Sequence, residues 1–397
     1  MKTNFFDSLK SKPSLAFLLI LMSALGVIPL DVILPSISSI SDEFRITTSE
    51  ASAGIALFTV GVAIAQSIIG PISDQIGRKR TFLFCLTMAI CGSWGCALAD
   101  STEKFYAFRA MQAIGCGGFV LSQAFIQDIF SPYERMRQRI LLTSASGVFI
   151  SISPAFGVLL QNYYGWKGSF YAFAALGLVV AMIAAMALPG KTTKPPILAG
   201  SAALFTVDTI RFIHGGLIAT ITFASHFSFI ILSPVIFIEM LQLSLEQYGA
   251  IMLLYGTSYV AGGFAANFLS RRISNRTQIF IGLWLIVAGS LSMAILHTLL
   301  GMTSLTVISS IIISSCGVTL ARPAATTIAM EAMPQRAGTA ASGLNTLMFV
   351  GGGAISFGLG LFAPFAQWLL PTALFLMAVT GLLLCTFRPL CVHLSPH

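Results

Sequence analysis

Long runs without charge alternate along this chain with short polar stretches rich in Lys and Arg. The apolar runs fall at 14–36, 51–70, 80–99, 104–127, 138–162, 169–189, 214–238, 247–268, 277–297, 302–330, 338–362 and 367–388. A bilayer core about 30 Å thick takes roughly 20 residues of helix, so the pattern predicts an all-α integral membrane protein with 12 transmembrane helices. Outer-membrane strands are shorter, about ten residues, and alternate in polarity, which these runs do not. Lys2, Lys10 and Lys12 precede a first run that extends to about Pro35. That exceeds the ~7–15 residues of a signal-peptide core, so the run is expected to be retained as the first span.

Composition agrees. Charged residues make up 9% of the chain, hydrophobic residues 56%, and the mean hydropathy is +0.88; a soluble domain carries about 25% charge. Such a chain could not cover its apolar surface in water, which excludes a soluble enzyme. Placing the N- and C-termini in the cytoplasm puts 17 Lys and Arg residues in cytoplasmic segments and leaves only Arg45, Lys104 and Lys167 outside. This is a strong positive-inside bias. It accounts for the net charge of +8 without a nucleic-acid partner. The seven Cys show no metal-ligand spacing and most lie within spans, as expected of buried free thiols. No phosphate-binding GxxxxGK[ST] loop, ATPase-sized soluble stretch, pore filter or Arg-rich voltage-sensor helix is present. No enzyme, cofactor or metal is implied, and energy must come from an ion gradient or a partner.

Between the sixth and seventh runs lies "PGKTTKPPILAGSAALFTVDTIR" (189–211), which divides the chain near its middle. The expected organisation is a six-helix bundle over 1–189, a cytoplasmic linker over 190–213 and a second six-helix bundle over 214–397. The halves resemble each other. Laying "GPISDQIGRK" (70–79) over "GFAANFLSRR" (263–272) matches Gly with Gly, Asp74 with Asn267 and Arg78 with Arg271. Asp128, Pro132 and Arg135 are echoed by Glu331, Pro334 and Arg336. Duplicated bundles of this kind are found in transporters, with the substrate near mid-membrane at the repeat interface.

"GPISDQIGRKR" resembles the loop motif between spans two and three of the major facilitator superfamily, and "RAMQAIGCGG" (109–118) its fourth-span motif. "SPAFG" (153–157), with Ser153, Pro154 and Gly157, resembles its antiporter motif, although Ser153 and Val158 stand where that motif has Gly. "LDVILPSI" (30–37), "GWKGSFYAF" (165–173), "SPVIFIEMLQLSLEQYG" (233–249) and "PAATTIAMEAMPQRAGTAASGL" (323–344) resemble the bicyclomycin/chloramphenicol-resistance (Bcr/CflA) branch of drug:H+ antiporters. The resemblance implies two pseudo-symmetric bundles in the bacterial inner membrane. It also implies a monomer that exports small amphipathic or apolar compounds, and so confers antibiotic resistance, at the expense of a proton gradient. An exporter or importer of a metabolite, such as a siderophore or amino-acid derivative, fits the same features. A non-transporting sensor or scaffold has to treat the intramembrane charges as structural.

Ionisable groups inside spans cost at least about 2.5–3.5 kcal/mol each at a helix centre, so each is a functional candidate. Asp31 lies roughly 25 Å along the first span, at 1.5 Å per residue, and Arg109 about one turn into the fourth, so the two can share a depth. Burial penalises a carboxylate and a guanidinium favours it; the opposed effects suit a group that takes up and releases a proton. The alternative is a permanent structural pair. In the resembling branch the first-span acid and fourth-span Arg belong to the coupling machinery. Gln112 lies on the face of Arg109 and either lines the cavity or bonds a neighbouring helix. His226 either relays protons or makes one interhelical hydrogen bond. Arg322 either faces the cavity and holds anionic groups or tethers helix ends near Glu331. By resemblance, Gly70, Asp74, Gly77, Arg78 and Asp128 form a gate, with Asp74 docking at the start of the eleventh span near Gly338.

Overall fold

The computed structural model describes residues 11–46, 48–190 and 207–386. The core of the expected linker, 191–206, and the C-terminal basic residue Arg388 lie outside them. Among the described residues the chain is helical, with no strand. The helices are α1 (Lys12–Asp31), α2 (Ile37–Phe44), α3 (Thr48–Ile76), α4 (Arg78–Leu98), α5 (Thr102–Cys116), α6 (Leu121–Ile129), α7 (Pro132–Tyr164) and α8 (Lys167–Ala187). They continue as α9 (Val207–Pro234), α10 (Leu245–Leu269), α11 (Asn275–Leu300), α12 (Ser304–Ala332), α13 (Ala337–Leu361) and α14 (Ala366–Thr386). Every apolar run of the sequence lies largely within helix. By length and composition, nine of the described helices suffice to cross a membrane. The run 104–127 is interrupted by a 3-10 turn at Gly117–Val120, whereas 138–162 and 338–362 are carried by the continuous helices α7 and α13.

Local chemistry sets many of the helix starts. Ser101 and Ser274 accept hydrogen bonds from the N–H groups of Lys104 and Thr277, and Ser244 with Gln247 and Thr303 with Thr306 form capping boxes. Each satisfies donors that would otherwise be orphaned in the first turn. Gly77 alone separates α3 from α4, with φ 104°, a left-handed value that strains any residue with a Cβ.

Packing groups the chain into two compact units. The first holds Met1–Ile129, Phe149–Leu198 and Gln335–Gly343; the second holds Phe130–Val148, Ala199–Pro334 and Leu344–His397. Inside each unit one helix pair packs through glycine in the same register. In the first, Gly92 of α4 abuts the backbone of Gln112, and Gly115 of α5 abuts Cys85 and Ala89. In the second, Gly289 of α11 abuts Ser310 and Ser314, and Gly317 of α12 abuts Gly282 and Ile286. Positions on α4 and α11 differ by 197 (92 to 289, 85 to 282), and those on α5 and α12 by 202 (112 to 314, 115 to 317). The internal repeat seen at the loops therefore extends into the membrane-facing core. Without a hydrophobic driving force between helices in lipid, such close small-residue packing supplies the association. Gly92→Val is expected to cost about 1–3 kcal/mol by overpacking and to lower the yield of monodisperse protein. Gly353→Val, at a position with open space around it, should leave gel-filtration profiles unchanged.

Candidate functional site

The first constellation is built around the C-terminal end of α1. Helices leave their last carbonyls unpaired, and here two side chains from other helices take them. Arg109 of α5 donates through Nη2 to the Pro29 carbonyl at 2.8 Å, and Ser169 of α8 donates to the Val32 carbonyl at 3.4 Å. Gly157 of α7 lies against that same Val32 carbonyl, where a Cβ would collide. Arg109 is 1% exposed. Its Nη1 donates to Gln112 Oε1 at 2.6 Å, Gln112 Nε2 donates to Ser93 at 3.1 Å, and Ser93 donates to the Phe170 carbonyl at 2.8 Å. The guanidinium lies 4.1 Å from the centroid of Phe58 and 5.7 Å from that of Phe170. Phe170 in turn belongs to the aromatic cluster of Phe105 and Trp166. A cation against a desolvated ring gains about 2 kcal/mol, and at the negative end of a helix it gains further. Among the described residues no carboxylate forms an ion pair with Arg109. Asp31, two residues beyond Pro29, closes α1; its side chain lies outside the described atoms.

The second constellation lies at the end of α3. A carboxylate in the last turn of its own helix sits at the unfavourable pole of the dipole, so Asp74 needs an external reason to be there. The start of α13 provides it. α13 follows Arg336, which has no acceptor to cap the helix, and Asp74 does so instead. Its Oδ1 accepts from Gly338 N–H at 2.9 Å, and Oδ2 accepts from Thr339 N–H and Oγ1–H, each at 2.7 Å. Gly70 and Gly338 let the two backbones touch: a Cβ on Gly70 would strike the Gly338 carbonyl, and one on Gly338 would meet Asp74 Oδ1 at 2.6 Å. Ser342 also donates to the Gln66 carbonyl. Arg78 pairs with Asp74 at 3.1 Å and with Asp128 through Nε.

The third lies in the second unit, on α9, α10 and α12. His226, 2% exposed, shares a 2.6 Å hydrogen bond with Tyr255 Oη, and its ring lies 4.8 Å from that of Tyr259. Tyr255 and Tyr259, one turn apart on α10, meet edge to face at 5.3 Å. Arg322 of α12 stands 6.0 Å from the Phe223 centroid and within electrostatic reach of His226, Tyr255 and Tyr259. Glu331 interacts instead with Arg139, Arg135 and Arg211.

These three arrangements stand on a chain whose residues 16–358 match the sequence profile of the Major Facilitator Superfamily. The chain belongs to that superfamily. It is 25% identical over 370 residues to the uncharacterized MFS-type transporter YdgK of Bacillus subtilis, covering 87% of this chain and 88% of the relative. It is 24% identical over 290 residues to the multidrug resistance protein MdtL of Salmonella paratyphi C, covering 71% and 72%. Among solved structures it matches the proton:xylose symporter XylE with a TM-score of 0.74 at 12% identity, covering 94% of both chains. It also matches the human organic anion transporter MFSD10 with a TM-score of 0.69 at 16% identity, covering 94% and 98%. These last two show a shared fold.

For this superfamily chain the structure brings Arg109 and Gln112 together at the end of α1 and Gly70 and Asp74 to the start of α13, with Arg78 between Asp74 and Asp128 and Gly77 at the α3–α4 turn. Gln112 is spent on Arg109 and Ser93. His226 makes the interhelical hydrogen bond that the sequence left open. Arg322 is separated from Glu331 by nine residues of helix, about 13 Å, and does not tether that end. Ser153 donates back to the Phe149 carbonyl and α7 runs on through Pro154, whose side chain lies outside the described atoms. Four of the six described thiols are buried, whereas Cys91 is exposed. Arg139, counted in the sequence as an inside charge, is 1% exposed and donates to Thr327 at 2.9 Å. Sequence reasoning also passed over Phe58, Ser93, Ser169, Tyr255, Tyr259 and Thr339. Ser169 and Thr339 stood in stretches already singled out, "GWKGSFYAF" and "PAATTIAMEAMPQRAGTAASGL".

Proposed function

We propose that the chain is a proton-coupled exporter of small amphipathic or apolar organic compounds, of the bicyclomycin/chloramphenicol-resistance branch. It would span the bacterial inner membrane with twelve helices in two six-helix bundles, its termini cytoplasmic, and act as a monomer by alternating access. The similarity to a multidrug resistance protein supports the substrate class. One observation carries the coupling: a buried Arg109 donates to the Pro29 carbonyl at the α1 terminus, two residues before Asp31 in the chain. Arg109 is thereby a fixed positive charge at the helix end that carries an acid able to change its own. In the cycle, substrate enters from the cytoplasmic side while Asp31 is ionised. Protonation from outside displaces the substrate and resets the carrier. A proton crossing 100 mV supplies about 2.3 kcal/mol, enough with a pH gradient for concentrative export.

Gln112 acts as a positioning residue for Arg109, and the His226 and Arg322 group offers a surface for substrate. The start of α13, held by Asp74, acts as one element of the gate. Inverted membrane vesicles, acid inside, are expected to accumulate members of a panel of anionic, neutral and cationic amphipathic dyes, and an uncoupler should abolish this. Accumulation only in right-side-out vesicles would instead identify an importer.

A further inference from the structure

Arg109 and Arg322, two cations within the apolar runs, are treated differently. Arg109 is enclosed by a helix-end carbonyl, an amide oxygen and two rings. Arg322 is half-buried and, among the described residues, has neither an ion pair nor a hydrogen bond, only the ring of Phe223 at 6.0 Å. A charge inside a membrane protein is costly unless it is paired or faces water. Leaving a largely buried guanidinium with its five donors unspent makes sense where an acceptor arrives from outside the chain.

The surroundings say what kind of acceptor. His226, Tyr255 and Tyr259 supply imidazole and hydroxyl groups and no carboxylate. The other flank is aromatic: Phe223 lies 5.3 Å from Phe349 and 5.5 Å from Phe227, the latter pair stacked. The planar fork of Arg matches a carboxylate, sulfonate or phosphonate in bidentate fashion, a geometry Lys cannot reproduce. Resting on the export reading above, we propose that Arg322 is the anion-binding residue of the substrate site. The ligands it selects are amphipathic aromatic acids, with the acid group on the guanidinium and the ring against Phe223 and Phe349. Tyr259 and His226, within electrostatic reach of the guanidinium, can donate to the same acid group. His226, being engaged with Tyr255, orients that hydroxyl.

The test uses the purified full chain in detergent and a matched panel: 1-naphthoate, 2-naphthalenesulfonate and indole-3-acetate, each against its neutral amide and a cationic amine of the same ring. Thermal stabilisation should be larger for the acids than for their amides and amines, with apparent affinity at least tenfold tighter. Arg322→Gln should remove that preference, and Arg322→Lys should keep part of it while weakening the bidentate acids most. Gel filtration of Arg322→Gln checks folding. If it fails to fold, Arg322→Lys and Tyr259→Phe decide, since both should weaken the acids relative to the amides. Equal binding of acids and amides, binding of amines alone, no binding of any acid, or an acid preference surviving in Arg322→Gln would each overturn the proposal. Proton-driven accumulation of the panel in inverted vesicles separates the two readings. Movement of neutral or cationic members alone removes the anion inference and keeps export. Acid binding with no proton-driven movement removes export and keeps Arg322 as an anion site.

Discussion

Asp31→Asn is expected to abolish proton-driven efflux while the protein still inserts and folds. The amide keeps the size of the carboxylate and loses only the exchangeable charge, so concentrative efflux should fall to the no-protein background, a loss of about 100-fold or more. Exchange of labelled for unlabelled substrate, which needs no proton turnover, should persist. Melting temperature separates this outcome from its structural alternative. Removing one partner of a buried ion pair typically costs about 3–5 kcal/mol, because the remaining charge is stranded. Arg109, however, already donates to Pro29 and Gln112 and lies against Phe58. Its anchoring survives the loss of a nearby acid. The melting temperature of Asp31→Asn should therefore stay close to that of the parent, whereas Arg109→Ala, which strips the end of α1 of its cap, should lower it clearly. Unchanged efflux in Asp31→Asn removes the proton assignment, and a collapse in melting temperature reinstates the structural one.

What could be read in the chain beforehand follows from how strongly a bilayer constrains it. Every backbone group in lipid must be satisfied internally, so uncharged runs of about twenty residues leave little choice but helix, and each one lies largely in helix. Asp74 and Arg78, with the glycines Gly70 and Gly77 that frame them, stood out because charge is rare enough there to be conspicuous. Asp74's partner near Gly338 came from the family resemblance alone: within "QRAGTAAS" only the absence of a capping residue marks Gly338 and Thr339 as receptors. The glycine register that repeats between α4 and α5 and between α11 and α12 was hidden, since a helix-packing glycine and a neutral one look alike until a neighbour is seen. The burial of Arg139 was hidden because a charge count groups it with Arg135 and Arg137, while α7 carries it into protein beside Thr327. Tyr255 and Tyr259 disappeared into an apolar run because a phenol counts as hydrophobic until a neighbour is seen, here His226 on the Tyr255 hydroxyl and against the Tyr259 ring.

Asp74→Asn is expected to slow transport by about tenfold or more, mainly in turnover rather than in substrate affinity, whereas Asn267→Ala should stay within about twofold. The two positions correspond in the internal repeat, yet their surroundings differ. Asp74 accepts three hydrogen bonds from Gly338 and Thr339 and pairs with Arg78. An amide can keep only one oxygen there and turns its NH2 toward donors. Losing charge-assisted bonds worth about 1.5–3 kcal/mol and the dipole contribution of about 0.3–1 kcal/mol weakens the contact by roughly 2–4 kcal/mol. At about tenfold per 1.4 kcal/mol, the state of the cycle that contains the contact becomes scarce, and turnover falls with it. The half-buried Asn267 has no such attachment: its Oδ1 lacks a hydrogen-bond partner, and the matching Gly263 abuts Ser144, whose hydroxyl is also unpartnered. Truncating a side chain whose buried acceptor is already unsatisfied is close to neutral. Arg78, which would retain Asp128 in the Asp74→Asn protein, should keep the α3–α4 turn intact, so the loss should appear in transport rates and not in expression. Equal rate losses at both positions would mean that the duplicated loops act symmetrically, and that the charge at Asp74 is not what holds the start of α13.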